Sequence, residues 1–226
     1  MIGGGYVNGV QGAEYSFIGG GSNNKIEGVV GIENVFGAFI GGGYLNAVQP
    51  SAMTAPTISG GGNNTVYASF TTIPGGQQAV ATNYAQLAYS SGQFQNPGDS
   101  QYSLYVLRYT TTNSESQYLF LDGAISEVVL PGNRSCSFTA RVVGRDSAGQ
   151  TCAFNVRGGA SSVGGVVTVA VPTATNEKLM DTWGSCSATL TSTGLADGKL
   201  RVQVTGPTSD SVRWTATLET VEVANP

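Results

Sequence analysis

The first quarter of the chain restates one phrase four times: Ile2-Gly-Gly-Gly-Tyr-Val-Asn8-Gly-Val10, Ile18-Gly-Gly-Gly-Ser-Asn-Asn24-Lys-Ile26, Ile40-Gly-Gly-Gly-Tyr-Leu-Asn46-Ala-Val48 and Ile58-Ser-Gly-Gly-Gly-Asn-Asn64-Thr-Val66. Each unit is too small to bury its own apolar face, so the units must stack, and the phrase predicts a repetitive β shaft. The glycines permit a corner with positive φ and close approach of neighbouring backbones. Ile and Val supply inward apolar residues, and Asn hydrogen-bonds within a turn or in a ladder with its counterpart in the next coil. No Gly-Lys-Ser/Thr follows any triplet, which sets aside a phosphate loop. The Ile-to-Ile spacings are 16, 22 and 18, then 15 to the variant Ile73-Pro-Gly-Gly76. Loops therefore vary while the framing residues persist, and Gly31-Ile32-Glu33-Asn34-Val35 reads as an extra half-repeat. So few coils bury little in one chain, which predicts three identical chains packed about an axis.

Composition divides the 226 residues in two. Of 33 glycines, 21 lie before residue 101, whereas Lys25 is the only Lys or Arg before Arg108. The expected division is a glycine-rich repeat shaft over 1–100 and a different β unit over 101–226, joined near Asn96-Pro97-Gly98-Asp99. Charged residues make up only 11% of the chain, so its surface must be polar but largely uncharged. A net charge of -4, with the cations scattered along the second half, offers no basic stripe, and no nucleic-acid partner is expected. The longest apolar candidate, Val163 to Val171, is strand-length and interrupted by glycine, so no membrane insertion is expected. Met1-Ile2-Gly3 lacks the charged and apolar regions of a signal peptide.

From Gln101 onward, strand-like runs alternate with turn clusters: Tyr102 to Thr110, Gln117 to Leu121, Ser126 to Leu130, Ser135 to Arg145, Thr151 to Arg157, Val163 to Val171, Cys186 to Thr191, Lys199 to Thr205 and Ser211 to Val223. Their rhythm is that of an all-β sandwich. Asn176 to Asp181 is the only candidate for a helical turn. Val221 and Val223 break the parity set by Val212, Trp214, Ala216 and Leu218, which predicts a bulge. Cys136, Cys152 and Cys186 have no zinc-like spacing. The first two fall on a hairpin turned at Asp146-Ser-Ala-Gly149, too far apart to bridge. Cys186 could reach one of them across the sheet, but buried free thiols are the expectation.

With the repeats and the closing strand in hand, the chain resembles the distal part of a bacteriophage tail fibre or related virion fibre. The resemblance is carried by the Ile-Gly-Gly-Gly-x-x-Asn repeats and Thr72-Ile73-Pro74-Gly75-Gly76. It continues through Gly98-Asp99-Ser100-Gln101, Leu119-Phe120-Leu121-Asp122-Gly123 and Val129-Leu130-Pro131-Gly132-Asn133, and ends at Val212 to Val223. The repeats are also similar to those of bacterial trimeric adhesin heads. The resemblance implies an extracellular virion protein: a homotrimer with a β-helical or β-roll shaft and a β-sandwich, jelly-roll-like head. It would join other virion tail proteins and contact a host cell-surface glycan or outer-membrane protein. Met1 falls directly on a repeat, which suggests a piece of a longer fibre.

With no histidine in the chain, serine-protease-like triads and His-ligated metals are excluded. Polysaccharide cleavage needs two carboxylates about 5 to 9.5 Å apart. Glu14, Glu27, Glu33, Asp122, Glu127, Asp146 and Asp181 are candidates, but none sits in a recognisable pair. Asp122, Asp146 and Asp197 stand in turn-like sequences where a carboxylate supports the turn. Trp183 lies in the longest non-strand segment of the head, where it either stacks on a sugar or plugs one end of the sandwich. Trp214 is expected in the core. The chain is therefore expected to be a non-enzymatic attachment protein with no catalytic, cofactor or metal residues. A fibre-borne depolymerase and a purely structural virion appendage are the alternatives. The candidate receptor contacts are Asp146, Gln150, Asp181, Trp183 and Asp210, in the loops at 146–150, 173–185 and 206–210.

Overall fold

The Ile-Gly-Gly-Gly phrase winds into a parallel β-solenoid, in which each copy forms one rung and pairs with the copies before and after it. The structure is a computed structural model that describes residues 1–29, 34–49, 51–170, 176–192, 197–207 and 211–225. The chain divides into two compact units, Met1–Ser103 and Leu104–Pro226.

Three parallel stacks make up the solenoid. One consists of β1 (Gly9–Gln11), β4 (Lys25–Glu27), β7 (Ala47–Val48), β10 (Thr65–Val66) and β12 (Val80–Ala81). A second consists of β3 (Phe17–Ile18), β6 (Phe39–Ile40), β9 (Thr57–Ile58), β11 (Thr72–Ile73) and β13 (Leu87–Tyr89). The third is shorter: β2 (Ala13–Glu14), β5 (Val35–Phe36) and β8 (Met53–Thr54). The registers explain the uneven repeat. From Ile2 to Val10, Ile18 to Ile26, Ile40 to Val48, Ile58 to Val66 and Ile73 to Ala81 the span is the same eight residues. Ala13 to Ile18, Val35 to Ile40 and Met53 to Ile58 also match one another. All the variation falls at one corner, between Val10 and Ala13, Ile26 and Val35, and Val48 and Met53. Of the expected half-repeat, only Asn34 and Val35 lie within the described residues, and Val35 is fully buried.

Ile18, Ile26, Ile40, Val48, Ile58, Val66 and Ile73 are each fully buried in one chain. A single chain therefore closes this core, and the argument that three chains were needed to close it does not hold. The stacks face one another across the coil, so each framing residue is covered by its own coil and by its neighbours. At about 1.5–3 kcal/mol for each buried Ile or Val, that column is the main stabilising term of the solenoid.

The glycine triplet is fixed by close approach. Gly5, Gly21, Gly43, Gly61 and Gly76 have φ of 81° to 94°, and a Cβ on Gly43 would fall 2.0 Å from the carbonyl oxygen of Gly61. Two columns of non-glycine residues also occupy the left-handed region, Val7, Asn23, Leu45, Asn63 and Gln78 in one and Tyr15, Ala55, Phe70 and Ala85 in the other. The rungs on either side hold them there through backbone hydrogen bonds, for example Asn23 N–H to Tyr6 O and Leu45 N–H to Ser22 O.

The second unit contains two sheets. In the larger, β19 (Val166–Ala170), β18 (Thr151–Val163), β17 (Arg134–Arg145), β23 (Val212–Ala224) and β14 (Ser100–Thr111) lie side by side, and β20 (Asn176–Asp181) also pairs with β18. In the smaller, β22 (Lys199–Thr205) pairs antiparallel with β15 (Gln117–Tyr118), β16 (Val128–Val129) and β21 (Ser187–Thr191). Their buried faces carry Phe138, Ala140, Val142, Phe154, Val156, Trp214 and Leu218 from one sheet and Leu190, Leu200, Val202 and Val204 from the other. Trp214 donates its indole N–H to Thr111 Oγ1 at 2.9 Å, so its single polar atom is satisfied.

Three expectations are corrected here. Asn176–Asp181 is a strand rather than a helical turn, because pairing with β18 supplies the hydrogen bonds its polar sequence lacks locally. β23 has no bulge: alternation continues, placing Val221 and Val223 outward and Thr220 and Glu222 inward. Glu222 tolerates burial because Arg134 reaches it at 2.7 Å and Thr220 Oγ1 donates to it at 2.6 Å. Finally, Cys152 and Cys186 are joined by a disulfide, with a Cα–Cα distance of 6.6 Å, and only Cys136 is free.

Candidate functional site

Turns at the ends of β17 and β20 bring together four of the five residues singled out from sequence. Asp146 closes the β17–β18 hairpin, its Oδ1 accepting from Gln150 N–H at 2.8 Å and its own N–H donating to Gln150 O at 3.1 Å. Asp181, at the end of β20, accepts from Trp183 N–H at 3.1 Å and Gly184 N–H at 2.7 Å through one oxygen and from Lys178 Nζ at 2.7 Å through the other. Trp183 links the two turns: its indole N–H donates to Asp146 Oδ2 at 3.1 Å, and its ring tilts against Trp214 with centroids 6.4 Å apart. Thr182 Oγ1 accepts from Thr151 N–H at 2.8 Å and completes the tie. Trp183 is half-buried and Gln150 exposed. The indole thus closes over the edge of the core while keeping part of its surface in solvent. Asp210 lies outside the described residues, as do parts of the loops at 173–185 and 206–210.

The electrostatics of these turns are those of structural anions. Burial pushes the Asp181 carboxyl up, but the Lys178 hydrogen bond and the Gly184 and Trp183 amides outweigh it and hold the pKa below the ordinary carboxylate range. Asp122 behaves alike: burial raises it, while Ser126 Oγ–H and the amides of Ser126, Ala124 and Ile125 hold it well below that range. The expectation that Asp122, Asp146 and Asp197 brace turns agrees with their hydrogen bonds, Asp197 accepting from Lys199 N–H at 3.1 Å.

A carboxylate pair that the sequence did not reveal lies around Arg201. This guanidinium, 7% exposed, donates to Glu127 Oε1 at 2.5 Å and to Asp197 Oδ2 at 2.6 Å, and sits 5.4 Å from the Tyr118 ring centre. Lys199 adds a second cation on Glu127. Burial raises Glu127, but the hydrogen bonds from Arg201 and Lys199 leave it lowered; in Asp197 the Arg201 hydrogen bond is the leading cause of the same direction. Glycoside cleavage needs one carboxyl that stays protonated. Asp122, Glu127, Asp181 and Asp197 are all shifted the other way, so each suits a structural, basic or nucleophilic role rather than proton donation. The only sequence signal for this network was the i, i+4 spacing of Asp197 and Arg201, since Glu127 is remote in sequence.

Asp181 also lies beside the sulfurs of Cys152 and Cys186. The disulfide uses both sulfurs, leaving this trio no thiolate for a soft metal. Cys136 is buried, and desolvation pushes its thiol up to about 12, so it is an inert core residue.

No protein-family model and no curated protein sequence matches the chain. Among solved structures it is similar to the tailspike protein of Acinetobacter baumannii phage AM24, at 10% identity and a TM-score of 0.32, over 98% of this chain and 55% of that one. It is also similar to the tailspike gp49 of Acinetobacter baumannii bacteriophage Fri1, described as a capsular polysaccharide depolymerase, at 6% identity and a TM-score of 0.32, over 98% and 56%. A third is the tailspike of Acinetobacter phage vB_ApiP_P1, at 10% identity and a TM-score of 0.26, over 96% and 54%. The chain thus spans about half the length of the structures it matches. The expectation of a non-enzymatic chain is withdrawn, because one of these similar proteins is described as a depolymerase, which is an enzyme.

Proposed function

We propose that the chain is part of a phage tail fibre or tailspike that engages polysaccharide on the host surface. The observation that carries this reading is the union in one chain of a parallel β-solenoid, over 1–100, with an all-β unit, over 101–226, whose two sheets we read as a jelly-roll-like sandwich. A solenoid is rigid along its axis because every rung is hydrogen-bonded to the next, which suits a fibre.

In this reading the chain is a virion component that joins other tail proteins and acts outside the cell. It assembles as a homotrimer, whose support now comes from the outside of the solenoid. Tyr6, Tyr15, Phe36, Phe39, Tyr44 and Tyr67 are exposed there, with Tyr15 and Phe36 paired at 5.0 Å and Phe17 and Phe39 stacked at 5.9 Å. Exposed aromatic rings, paired across neighbouring rungs, suit a contact with another chain. The turns at Asp146, Gln150, Asp181 and Trp183 provide the receptor contact, Trp183 offering its solvent-facing ring to a sugar. Adsorption of the purified protein to capsulated host cells tests the reading. Gln150→Ala with Trp183→Phe is expected to weaken adsorption while sedimentation still gives three times the 23.1 kDa chain mass; full adsorption by the double variant would remove these turns from the contact. Cleavage of the same polysaccharide is the second reading, and release of reducing ends from capsule incubated with the protein distinguishes it from attachment alone.

A further inference from the structure

The β17–β23 register sets Arg145 directly opposite Arg213. Like charges at directly opposed positions destabilise a sheet, and the unit matches other cations with acids: Arg134 with Glu222, Arg141 with Glu219, Lys178 with Asp181, and Lys199 and Arg201 with Glu127. Arg145 and Arg213 have no carboxylate partner among the described residues, and both are exposed. On the neighbouring strand, Arg108 shares with Arg213 a surface depression of about 270 Å³, lined also by Thr110, Thr215, Asp122 and Gly123. The Arg108 guanidinium is oriented by the backbone, donating to Leu121 O at 3.3 Å and Asp122 O at 2.7 Å. The Asp122 carboxylate forms no ion pair with it among the described residues, its oxygens accepting instead from the amides of Ala124, Ile125 and Ser126 and from Ser126 Oγ.

We propose that Arg108, Arg145 and Arg213 form a binding site for a carboxylate-bearing saccharide, a uronate-type residue within a longer glycan. A guanidinium matches a planar carboxylate with two parallel hydrogen bonds, and Thr110 and Thr215 supply hydroxyls for the ring oxygens and hydroxyls of a sugar. The volume is at the small end of ligand clefts, sufficient for one sugar residue, with the rest of the glycan running over the open sheet face. Three guanidinium groups with no ion pair among the described residues outnumber the Asp122 carboxylate beside them, and concentrate an anion on a chain of net charge -4 that as a whole would repel it. The proposal deepens the polysaccharide reading above and rests on it for its biological ligand.

The test is an NMR titration of the whole chain, observing arginine Nε–H signals with trigalacturonate, with neutral maltotriose and with inorganic phosphate. Trigalacturonate alone is expected to shift the signals of Arg108, Arg145 and Arg213. Arg145→Gln and Arg213→Gln are each expected to weaken it at least fivefold with an unchanged circular dichroism spectrum. Equal binding of maltotriose or phosphate, or unchanged affinity in both variants, would overturn the proposal. Adsorption to capsulated cells is measured in parallel. Adsorption without trigalacturonate binding sinks the arginine site and leaves attachment standing, whereas trigalacturonate binding without adsorption supports the site and counts against attachment.

Discussion

The polar side chains buried at the same place in rung after rung of the solenoid are amides, whereas the second unit buries ion pairs. Asn24, Asn46 and Asn64 are fully buried. Each Oδ1 accepts the backbone N–H of the residue one rung on, Asn46, Asn64 and Ala79, at 3.0–3.1 Å. Each Nδ2 donates to one glycine carbonyl in its own rung and to one in the next, for Asn46 those of Gly42 and Gly61, both at 2.9 Å. In the second unit Glu222 is neutralised by Arg134 and Glu127 by Arg201. The difference follows from repetition. A residue repeated in every rung meets its own copy about 4.8 Å away. An amide can both give and accept along such a column, while a carboxylate or guanidinium would meet a like charge. The scarcity of charge in the first hundred residues is therefore a condition of the ladder. The second unit does not repeat, so each buried ion can have an opposite partner of its own.

The comparison is broken most severely by Gly43→Ala. A Cβ there meets the Gly61 carbonyl in a left-handed backbone, and a loss of at least about 4 kcal/mol is expected by urea unfolding followed by far-ultraviolet circular dichroism. Loss of amide protection confined to the second unit would show that the rungs yield at that contact. Opening the Cys152–Cys186 bridge, which closes a loop of 34 residues, should cost the second unit about 3 kcal/mol. Tryptophan fluorescence reads it, since Trp183 and Trp214 are the chain's two tryptophans, and an unchanged midpoint under reductant would count against a stabilising role.

Glu222→Ala leaves Arg134 buried without its partner and should cost about 3 kcal/mol, while the pair Arg134→Met and Glu222→Leu should come close to wild type. If the double variant is as weak as the single one, the ion pair is needed for more than its charge balance. Acid gives the smallest and most graded effect. Asp122, Glu127, Asp181 and Asp197 all have folded pKa values below their unfolded ones. Their contribution is complete above about pH 4–4.5 and is lost as pH falls through the lower folded values. Asn and peptide groups do not titrate in that window, so tryptophan fluorescence should change at higher pH than the solenoid's amide protection. Simultaneous loss would contradict the separation.

The rungs were legible because every interaction that makes them is repeated at short sequence distance. Ile, Gly and Asn recur with their neighbours, so their spacing already names the partners. The turn aspartates were legible for the same reason, Asp146 and Gln150 being four residues apart. Val221 and Val223 misled because apolar character was taken to set the face, while the unbroken register with β17 placed Glu222 inward opposite Cys136. Asn176–Asp181 misled because its strand exists only through β18, where Lys178 lies 5.8 Å from the Phe154 ring centre.

The sequence by itself determined the solenoid, its glycine corners and its asparagine column, because a repeat carries its own contact map. Tertiary structure decided that one chain suffices to close that core, that Cys186 reaches Cys152, that Glu127 and Asp197 share Arg201, that Arg145 stands opposite Arg213, and that Arg213 shares a depression with Arg108. Those pairings join residues far apart in a non-repeating segment, and only the registers of folded strands select one partner from many of equal chemistry.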